Sequence, residues 1–520
     1  MDIEWRELIN DFNGLITEIV QRLSQHKVAN SLSRDKKTIN GWLKGASPSN
    51  PCDVAWVIRL ALQNGIDLSR FQSYAPIYDF SSIWSYEQIS GKEPVELSWL
   101  TNVKPPPTVK RSFCGLELDG PLGVASSPLL ANDKWAVSIL NLGFGLSTFK
   151  TKRTSSKQSW LPPYVAFVLD QPDLSTYDPA DPIEVLVTFD RKDVRDSIPN
   201  LVNSIGVPSE SPSAWQEMYE RIKSHPRGRF VGISVMGDGT KPREIEKDFE
   251  LAIQRAKDVA PPFIELNLSC PNLEKDAAIW AEYSLIRQIC SKARKVLAST
   301  EVLLVIKLPQ LPYGMIQDIL KVAGKSIDAV AFQNTVRVRP ITRDRDGKSH
   351  PAFTGRQFGG LSGPCTFGMT RRGLHQLIQI RESLKQEFRI IAIGGVSTPG
   401  HVVELLDAGA DVVQACTAPM FDPFLAWKVR FHLKQFEHQI SNQEALPMLQ
   451  PRNQAEIESF RNALEAFAAI NRRYPQRAVP YSVLQEKWNA WMEQQPGAPV
   501  GKAHRISSPR TFAQWMRDFT

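Results

Sequence analysis

The residues best suited to chemistry lie between Phe263 and Asn272, a stretch that reads Phe-Ile-Glu-Leu-Asn-Leu-Ser-Cys-Pro-Asn. Its first six residues are apolar or alternate with polar ones, which predicts a buried strand. Asn267, Cys270 and Asn272 fall where that strand gives way to a loop. Two amides flanking a thiol suggest a planar, hydrogen-bonding substrate held beside a cysteine that moves a proton. Taken alone, the stretch is more typical of a structural cysteine buried at a strand end, and the rest of the chain is what favours chemistry.

The size and composition indicate a globular protein with more than one domain. The chain has 520 residues, 42% of them hydrophobic, and a net charge of +7. Its apolar runs are shorter than the roughly 18 residues that a membrane-spanning helix needs. The acidic start Met1–Glu4 lacks the pattern of a signal peptide. We therefore expect a cytoplasmic protein with no membrane segment.

The number and spacing of the cysteines bear on whether the chain binds a metal. There are six, scattered without a CxxC pair or a regular framework, at positions 52, 114, 270, 290, 365 and 416. This spacing argues against structural zinc, a cysteine-ligated iron–sulfur cluster and a disulfide scaffold. We expect reduced thiols and no metal site.

Short apolar runs alternate with helical stretches from about Phe113 onward, which predicts an α/β fold, a parallel (β/α)8 TIM barrel. The eight predicted strands are Leu122–Ser126, Phe144–Lys150, Phe230–Met236, Phe263–Leu268, Leu303–Leu308, Ala329–Gln333, Arg389–Ile393 and Val412–Cys416. The active site of such a barrel lies at the carboxyl ends of its strands. The motif around Cys270 therefore belongs at the mouth of the barrel.

Polar residues and glycines collect at the same strand ends. Lys150 closes the second strand, Lys307 lies in the fifth, and Asn334-Thr335 follow the sixth. Gly359–Gly363, Gly394-Gly395 and Thr417 would bring backbone N–H groups to the ends of the last strands, the usual phosphate position in this fold. The sequence thus combines a phosphate-binding site, a lysine at a strand end and a thiol that can transfer a proton. This combination favours an FMN enzyme over an aldolase or a metal hydrolase.

The barrel resembles the class 1 dihydroorotate dehydrogenases and the pyrimidine-reducing domain of dihydropyrimidine dehydrogenase. The matching stretches, in the family's order, are Gly120–Ser127, Gly143–Lys150, Asn203–Pro208, Glu265–Asn272, Val305–Leu308, Asn334-Thr335, Gly359–Gly363 and Gly394–Val396. The resemblance implies that a flavin accepts a hydride from C6 of a dihydropyrimidine while Cys270 removes the proton on C5.

The resemblance also assigns roles to individual residues of this chain. Cys270 and Lys150 would be catalytic. The substrate-binding residues would be Asn203, Ile205, Gly206, Val207, Asn267, Asn272, Asn334 and Thr335. The FMN-binding residues would be Ala125, Ser126, Lys150, Asn267, Lys307, Gly360, Ser362, Gly363, Gly394, Gly395, Cys416 and Thr417.

Four departures from the family pattern bear on these roles. Ser127 and Cys416 stand where the family has glycine, which crowds the flavin site. Pro163 replaces an expected arginine, so the exact substrate stays open. Lys152 rivals Lys150 as the flavin lysine. The segment 151–229 is also too long for a minimal crossover, which suggests a lid or an interface.

The sequence of the N-terminal region predicts a small helical domain. The stretch Val28–Gly45 resembles the helix-turn-helix of the Cro/repressor family, with Asp35 capping a third helix that begins at Lys36. In that family the third helix enters the major groove of DNA. The resemblance implies DNA contacts from Arg34, Lys36, Lys37, Asn40 and Lys44. A small helical bundle that binds protein is the other interpretation.

We predict four regions: a helix-turn-helix domain (1–75), a linker (76–110) ending in Lys104-Pro-Pro-Pro-Thr108, an FMN-binding barrel (111–432) and a helical C-terminal extension (433–520). The apolar stripe at Ile457, Phe460, Leu464 and Phe467 favours packing of the extension over nucleotide binding. A single helix-turn-helix per chain favours a homodimer.

These predictions leave three functions open. The first is an FMN oxidoreductase acting on dihydroorotate or another dihydropyrimidine, fused to a DNA-binding module. The second is a transcriptional regulator whose barrel senses flavin or pyrimidine with little turnover. The third is a tRNA dihydrouridine synthase-like enzyme, although Ser269 replaces the glycine usual in that family. No dinucleotide fingerprint marks the electron acceptor, so a small oxidant or a redox partner subunit is expected.

Overall fold

The computed structural model describes residues 9–48, 51–73, 76–80, 85–91, 105–108, 110–223, 228–268 and 279–441. Cys270, Asn272 and the predicted stripe at 457–467 lie outside these ranges.

The eight predicted barrel strands are all present in one parallel sheet. They are β1 (Leu122–Val124), β2 (Leu146–Lys152), β3 (Phe230–Val235), β4 (Phe263–Asn267), β5 (Leu303–Leu308), β6 (Ala329–Phe332), β7 (Arg389–Ile393) and β8 (Val412–Ala415). The order is β1-β8-β7-β6-β5-β4-β3-β2. The two end strands meet where the amide of Gly145 donates to Leu122 O at 2.7 Å. A side chain at Gly123 would overlap Leu146 O, so glycine permits this close approach.

Apolar side chains fill the interior of the barrel and pack between its outer surface and the surrounding helices. The interior cluster includes Leu146, Phe263, Val305, Ala331 and Ile391. Helix Pro242–Asp258 illustrates the outer layer, because Ile245, Phe249 and Ile253 recur at helical spacing and are buried. The other helices around the sheet are Asp133–Asn141, Pro212–Lys223, Tyr283–Leu297, Tyr313–Ala323, Phe367–Leu384, Pro399–Asp407 and Thr417–Phe421, and helix Leu425–Ser441 follows in the chain.

The long segment between β2 and β3 forms part of a second sheet, which we call the small sheet. Its strands, in spatial order, are Ser349–Pro351, Val336–Arg343, Gly359–Ser362, Leu201–Asn203, Val165–Val168 and Glu184–Thr188. The second and last of these also pair, so the sheet curls around its own core, which contains Val202, Val338 and Phe353. The strands of segment 151–229 thus pair with strands that follow β6. A separate hairpin, Arg111–Phe113 with Leu116–Leu118, precedes β1.

The described part of the N-terminal region contains four α-helices: α1 (Phe12–Leu23), α2 (Gln25–Leu32), α3 (Lys36–Leu43) and α4 (Pro51–Gln63). Ile16 of α1, Leu32 of α2, and Ile39 and Trp42 of α3 are buried. Asp35 caps α3 by accepting a hydrogen bond from the amide of Thr38 at 2.6 Å. A short helix, Tyr86–Gly91, follows later.

Contacts tie the N-terminal region to the barrel. Gln72 donates to Asp422 at 2.8 Å, and Lys428 contacts both side chains at 2.7 Å. The amide of Ile77 donates to Met420 O at 2.7 Å. Part of the predicted linker therefore packs on the barrel.

Within the described ranges, every helix is too short or too polar to span a bilayer.

Candidate active site

Two adjoining cavities open at the carboxyl ends of the strands. Their empty volumes, which include space open to solvent, are about 800 and 540 Å³. They share Ser126, Lys307, Asn334, Thr335, Ser362, Cys416 and Thr417 as lining residues, so they form one trough. Of the described residues that line it, none is acidic, and two are lysines. The trough therefore suits an elongated anionic ligand.

One end of the trough is lined by amides and hydroxyls. Asn267 is buried at the end of β4 and donates to Thr151 Oγ1 at 3.2 Å, and Thr151 lies 3.3 Å from Ser126 Oγ and 3.0 Å from Ser234 Oγ. Asn334 Nδ2 lies 3.5 Å from Asn267 Oδ1. Linked hydrogen bonds of this kind fix which side of each amide faces the cavity. This end can present ordered donors and acceptors to a flat heterocycle.

Asn203 joins these amides from the small sheet. Its Nδ2 donates to Gly360 O at 3.0 Å, and the strand register places Asn203 opposite Gly360. The following residues Ile205, Gly206 and Val207 line the same cavity. We call residues 204–207 the cavity wall.

Two lysines make this cavity electropositive. Lys150 and Lys307 both line it, and Lys307 pairs in register with Asn267. Burial raises the pKa of the Cys416 thiol, while nearby Ser127, Lys307 and Lys150 act in the opposite direction. The two departures Ser127 and Cys416 are thus neighbours at the cavity.

Lys152 lies on the other side of β2. Its ammonium is buried and donates to Ala131 O at 3.1 Å and to Glu210 at 2.6 Å. Burial lowers the pKa of Lys152, an effect that Glu210 partly offsets. The pairing of β2 with β3 is irregular between Phe149 and Lys152, and such an irregularity re-aims side chains that alternation would place on one face. Of the two rival lysines, Lys150 is the one that lines the cavity.

The other end of the trough is lined by backbone and hydroxyl groups. Gly363, Gly394 and Gly395 adopt φ angles of 113°, 124° and 67°, in the region that favours glycine. A Cβ on Gly394 or Gly395 would overlap Thr370 or the backbone of Phe367. Thr417 and Ser362 lie 3.0 Å apart through their hydroxyls, with Lys307 on the same cavity. These groups match a phosphate, as the amide-lined end matches a ring system, so the trough fits FMN.

Most predicted site residues lie together along this trough. They are Ala125, Ser126, Lys150, Asn203, Ile205, Gly206, Val207, Asn267, Lys307, Asn334, Thr335, Ser362, Gly363, Gly394, Gly395, Cys416 and Thr417. Gly360 lies behind the lining, where a Cβ would overlap Thr335. Cys270 and Asn272 lie outside the described residues, in the segment that follows β4.

Several lining residues were not predicted. Tyr78 and Phe80 come from the segment expected to be a linker, and Phe80 stacks on Phe421 with ring centroids 5.3 Å apart. The Thr151 hydroxyl forms hydrogen bonds with Asn267, Ser126 and Ser234. Hydroxyls and aromatics are common in any sequence, and nothing in their local pattern distinguishes these three. Only the packing of distant segments brings them to the site.

The predicted DNA-contacting residues lie on the helical region. Lys36, Lys37, Asn40 and Lys44 are exposed on or just after α3. Gln25 donates to Asn40 Oδ1 at 2.7 Å, and Arg34 forms an ion pair with Asp53 at 2.6 Å. The exposed lysines leave a basic face on this helix.

Comparison with known proteins identifies relatives of the barrel. Residues 192–436 match the family model described as "Dihydroorotate dehydrogenase". A protein of that name from Dictyostelium discoideum is 25% identical over 371 residues, covering 68% of this chain and 96% of its own. "Dihydroorotate dehydrogenase (quinone)" from Mesorhizobium japonicum is 28% identical over 320 residues, covering 60% and 76%.

Two further similarities were found, one to part of a curated protein and one to a solved structure. "Dihydroorotate dehydrogenase B (NAD(+)), catalytic subunit" from Listeria welshimeri is 31% identical over 167 residues, 32% of this chain and 51% of that protein. The crystal structure of the Eimeria tenella DHODH with ferulenol superposes with a TM-score of 0.50 at 19% identity, covering 78% of this chain and 97% of the other. That superposition bears on the fold alone. The family model and the curated relatives support a relationship to the dihydroorotate dehydrogenases, whose members are FMN-dependent oxidoreductases that act on a CH–CH group.

Proposed function

We propose that the chain oxidises dihydroorotate, or a closely related dihydropyrimidine, with Cys270 as the general base. The observation that carries this proposal is the meeting of Asn203, Asn267 and Asn334 in one cavity with Lys150 and Lys307. Three amides offer paired donors and acceptors to the edge of a pyrimidine. The two ammonium groups favour an anionic substrate over a neutral one.

Each residue has a defined task in the proposed reaction. Asn203, Asn267 and Asn334 hold the pyrimidine ring, and the cavity wall limits its movement. When bound, FMN supplies the hydride acceptor. Cys270 follows Asn267 by three residues, and its thiolate takes the proton from C5 of the substrate. Lys150 is assigned the task of favouring the thiolate, since a positive charge stabilises the ionised form of a thiol.

The proposal is tested by the spectrum of the purified protein, titrated anaerobically with dihydroorotate and with dihydrouracil. We expect the visible flavin absorbance to bleach with dihydroorotate. Bleaching by dihydrouracil alone would reassign the substrate. An oxidised spectrum with every dihydropyrimidine would favour the flavin- or pyrimidine-sensing regulator, and reduction of tRNA uridines without turnover of dihydroorotate would favour the third function.

We further propose that the helical region binds DNA through α3. Lys36, Lys37 and Lys44 are exposed there, which suits contacts with phosphates. We expect the double variant Lys36→Gln, Lys37→Gln to bind duplex DNA more weakly and to reduce the slope of log K against log salt by about 2, roughly 1 for each phosphate contact. Fluorescence anisotropy over a series of salt concentrations measures both quantities.

The matched control is Lys247→Gln, Lys295→Gln, which removes the same charge from exposed positions on two barrel helices. Equal slopes for the two double variants would show that only the net charge matters, and an undetectable affinity in the unaltered protein would favour a protein-binding bundle. DNA binding also predicts a homodimer, which light scattering tests. Reoxidation of the reduced flavin by small oxidants, compared with candidate subunits, tests the expected redox partner.

A further inference from the structure

The cavity wall rests on a loop with little core of its own. The amide of Ser204 donates to Tyr164 O at 2.7 Å, and the amide of Trp160 donates to Ile205 O at 3.1 Å. Gly206 has a φ of 82°, and a Cβ there would come within 2.9 Å of the Trp160 indole. Leu161 is 81% exposed and Trp160 is 43% exposed. Tyr164 is 3% exposed and anchors one end of loop 160–164, whereas the side chains of residues 160–163 are exposed or half-buried, so this part of the loop supports the wall with little burial of its own.

Arg356 joins the wall to this loop. The side chain is 5% exposed. Its Nη1 donates to Ser204 O at 2.6 Å, and its Nη2 donates to Leu161 O at 2.9 Å and to Pro163 O at 2.7 Å. One guanidinium thus connects carbonyls from two separate segments of the chain.

Phe353, in the core of the small sheet, contacts both the side chain and the backbone of Arg356. Its guanidinium lies over the Phe353 ring at 5.2 Å, and Phe353 is fully buried in the core of that sheet. The Arg356 amide also donates to Phe353 O at 3.2 Å. A planar fork with several fixed donors can satisfy carbonyls in different directions at once, whereas the single ammonium of a lysine cannot reproduce that geometry.

We propose that Arg356 is a positioning residue for the substrate: it fixes the cavity wall by clamping Ser204 to loop 160–164. Arg356 is absent from the described lining of the cavity, so it acts through Ile205, Gly206 and Val207. The inference rests on the proposed function, because it assigns the wall to the pyrimidine side of the trough. The FMN phosphate end, at Gly394 and Gly395, is formed by other segments and should not depend on the clamp.

The test compares Arg356→Ala and Arg356→Lys with Arg339→Ala. Arg339 is a matched control because it lies in the same sheet and donates to Pro182 O at 2.7 Å, but it does not contact the wall. We expect kcat/KM for dihydroorotate to fall about 10- to 100-fold in Arg356→Ala, since small misplacements of substrate are costly. The affinity of the apoprotein for FMN should stay at its original value, and added methylguanidine should restore part of the activity.

A second measurement does not depend on turnover. Chymotrypsin should cleave after Trp160 faster in both Arg356 variants than in the unaltered protein or Arg339→Ala, with fragments identified by mass spectrometry. Unchanged cleavage and unchanged kcat/KM would overturn the proposal, as would an equal loss in Arg339→Ala or a parallel loss of FMN affinity. If Arg356→Ala does not fold, Arg356→Lys carries the same comparisons. If the unaltered protein does not turn over dihydroorotate, the proposed function fails while the cleavage rates still test the clamp.

Discussion

Replacing Cys270 with alanine is expected to slow the reduction of bound flavin by dihydroorotate about 10²- to 10⁴-fold, the usual contribution of a general base. The variant should retain FMN and bind orotate, because the amides and the phosphate end are unchanged. Stopped-flow absorbance under anaerobic conditions measures the rate, and the rate in the unaltered protein should rise with pH as the thiol ionises.

Cys52→Ala is the matched control for this variant. Cys52 is a half-buried residue of α4, in the N-terminal helical region, so we expect the original rate of flavin reduction. A Cys270→Ala protein that reduces its flavin at the original rate would remove Cys270 from the mechanism. If the rate falls and its pH dependence is unchanged, another group is the base and Cys270 only shapes the site.

Replacing Gly395 with alanine is expected to weaken FMN binding about tenfold or more. The residue has a φ of 67°, which costs an L side chain roughly 1–2 kcal/mol, and the new Cβ would overlap the backbone nitrogen of Phe367. A cost of about 1.4 kcal/mol to the FMN-binding conformation corresponds to a tenfold loss of affinity. Quenching of FMN fluorescence by the apoprotein, below its melting temperature, measures the dissociation constant.

Gly400→Ala is the control for this prediction. Gly400 lies five positions further along in helix Pro399–Asp407, and its nearest neighbour to an added Cβ is Thr398 Oγ1 at 3.7 Å. Alanine there should leave FMN affinity unchanged and increase stability slightly, because alanine is the better helix former. Equal FMN affinity in the two variants would show that the conformation of Gly395 does not control cofactor binding.

The strands of the barrel could be predicted because local sequence encodes them. A parallel strand covered on both faces must be apolar over several residues, and β5 and β7 satisfy this condition. Polar residues at the carboxyl ends of such strands converge in a barrel, so Asn267, Lys307 and Asn334 were predictable members of one site. The glycines at 394 and 395 were predictable for the same reason.

The interpretation of segment 151–229 needed the structure. Its strand Leu201–Asn203 pairs with Gly359–Ser362, from a segment far along the chain. Local alternation does not specify such a partner, because pairing depends on contacts between distant residues. The same limit applies to Arg356, which resembles any loop arginine until the carbonyls of Ser204, Leu161 and Pro163 are placed around it.

The sequence by itself determined the eight strands, their order along the chain, and the amides, lysines and glycines at their carboxyl ends, because each depends on residues adjacent in the chain. Only the tertiary structure decided that Lys150 rather than Lys152 lines the cavity, since an irregular strand pairing changes the facing of side chains. It also decided that Tyr78 and Phe80 complete the cavity from outside the barrel. These choices depend on packing between segments far apart in sequence, which no local pattern records.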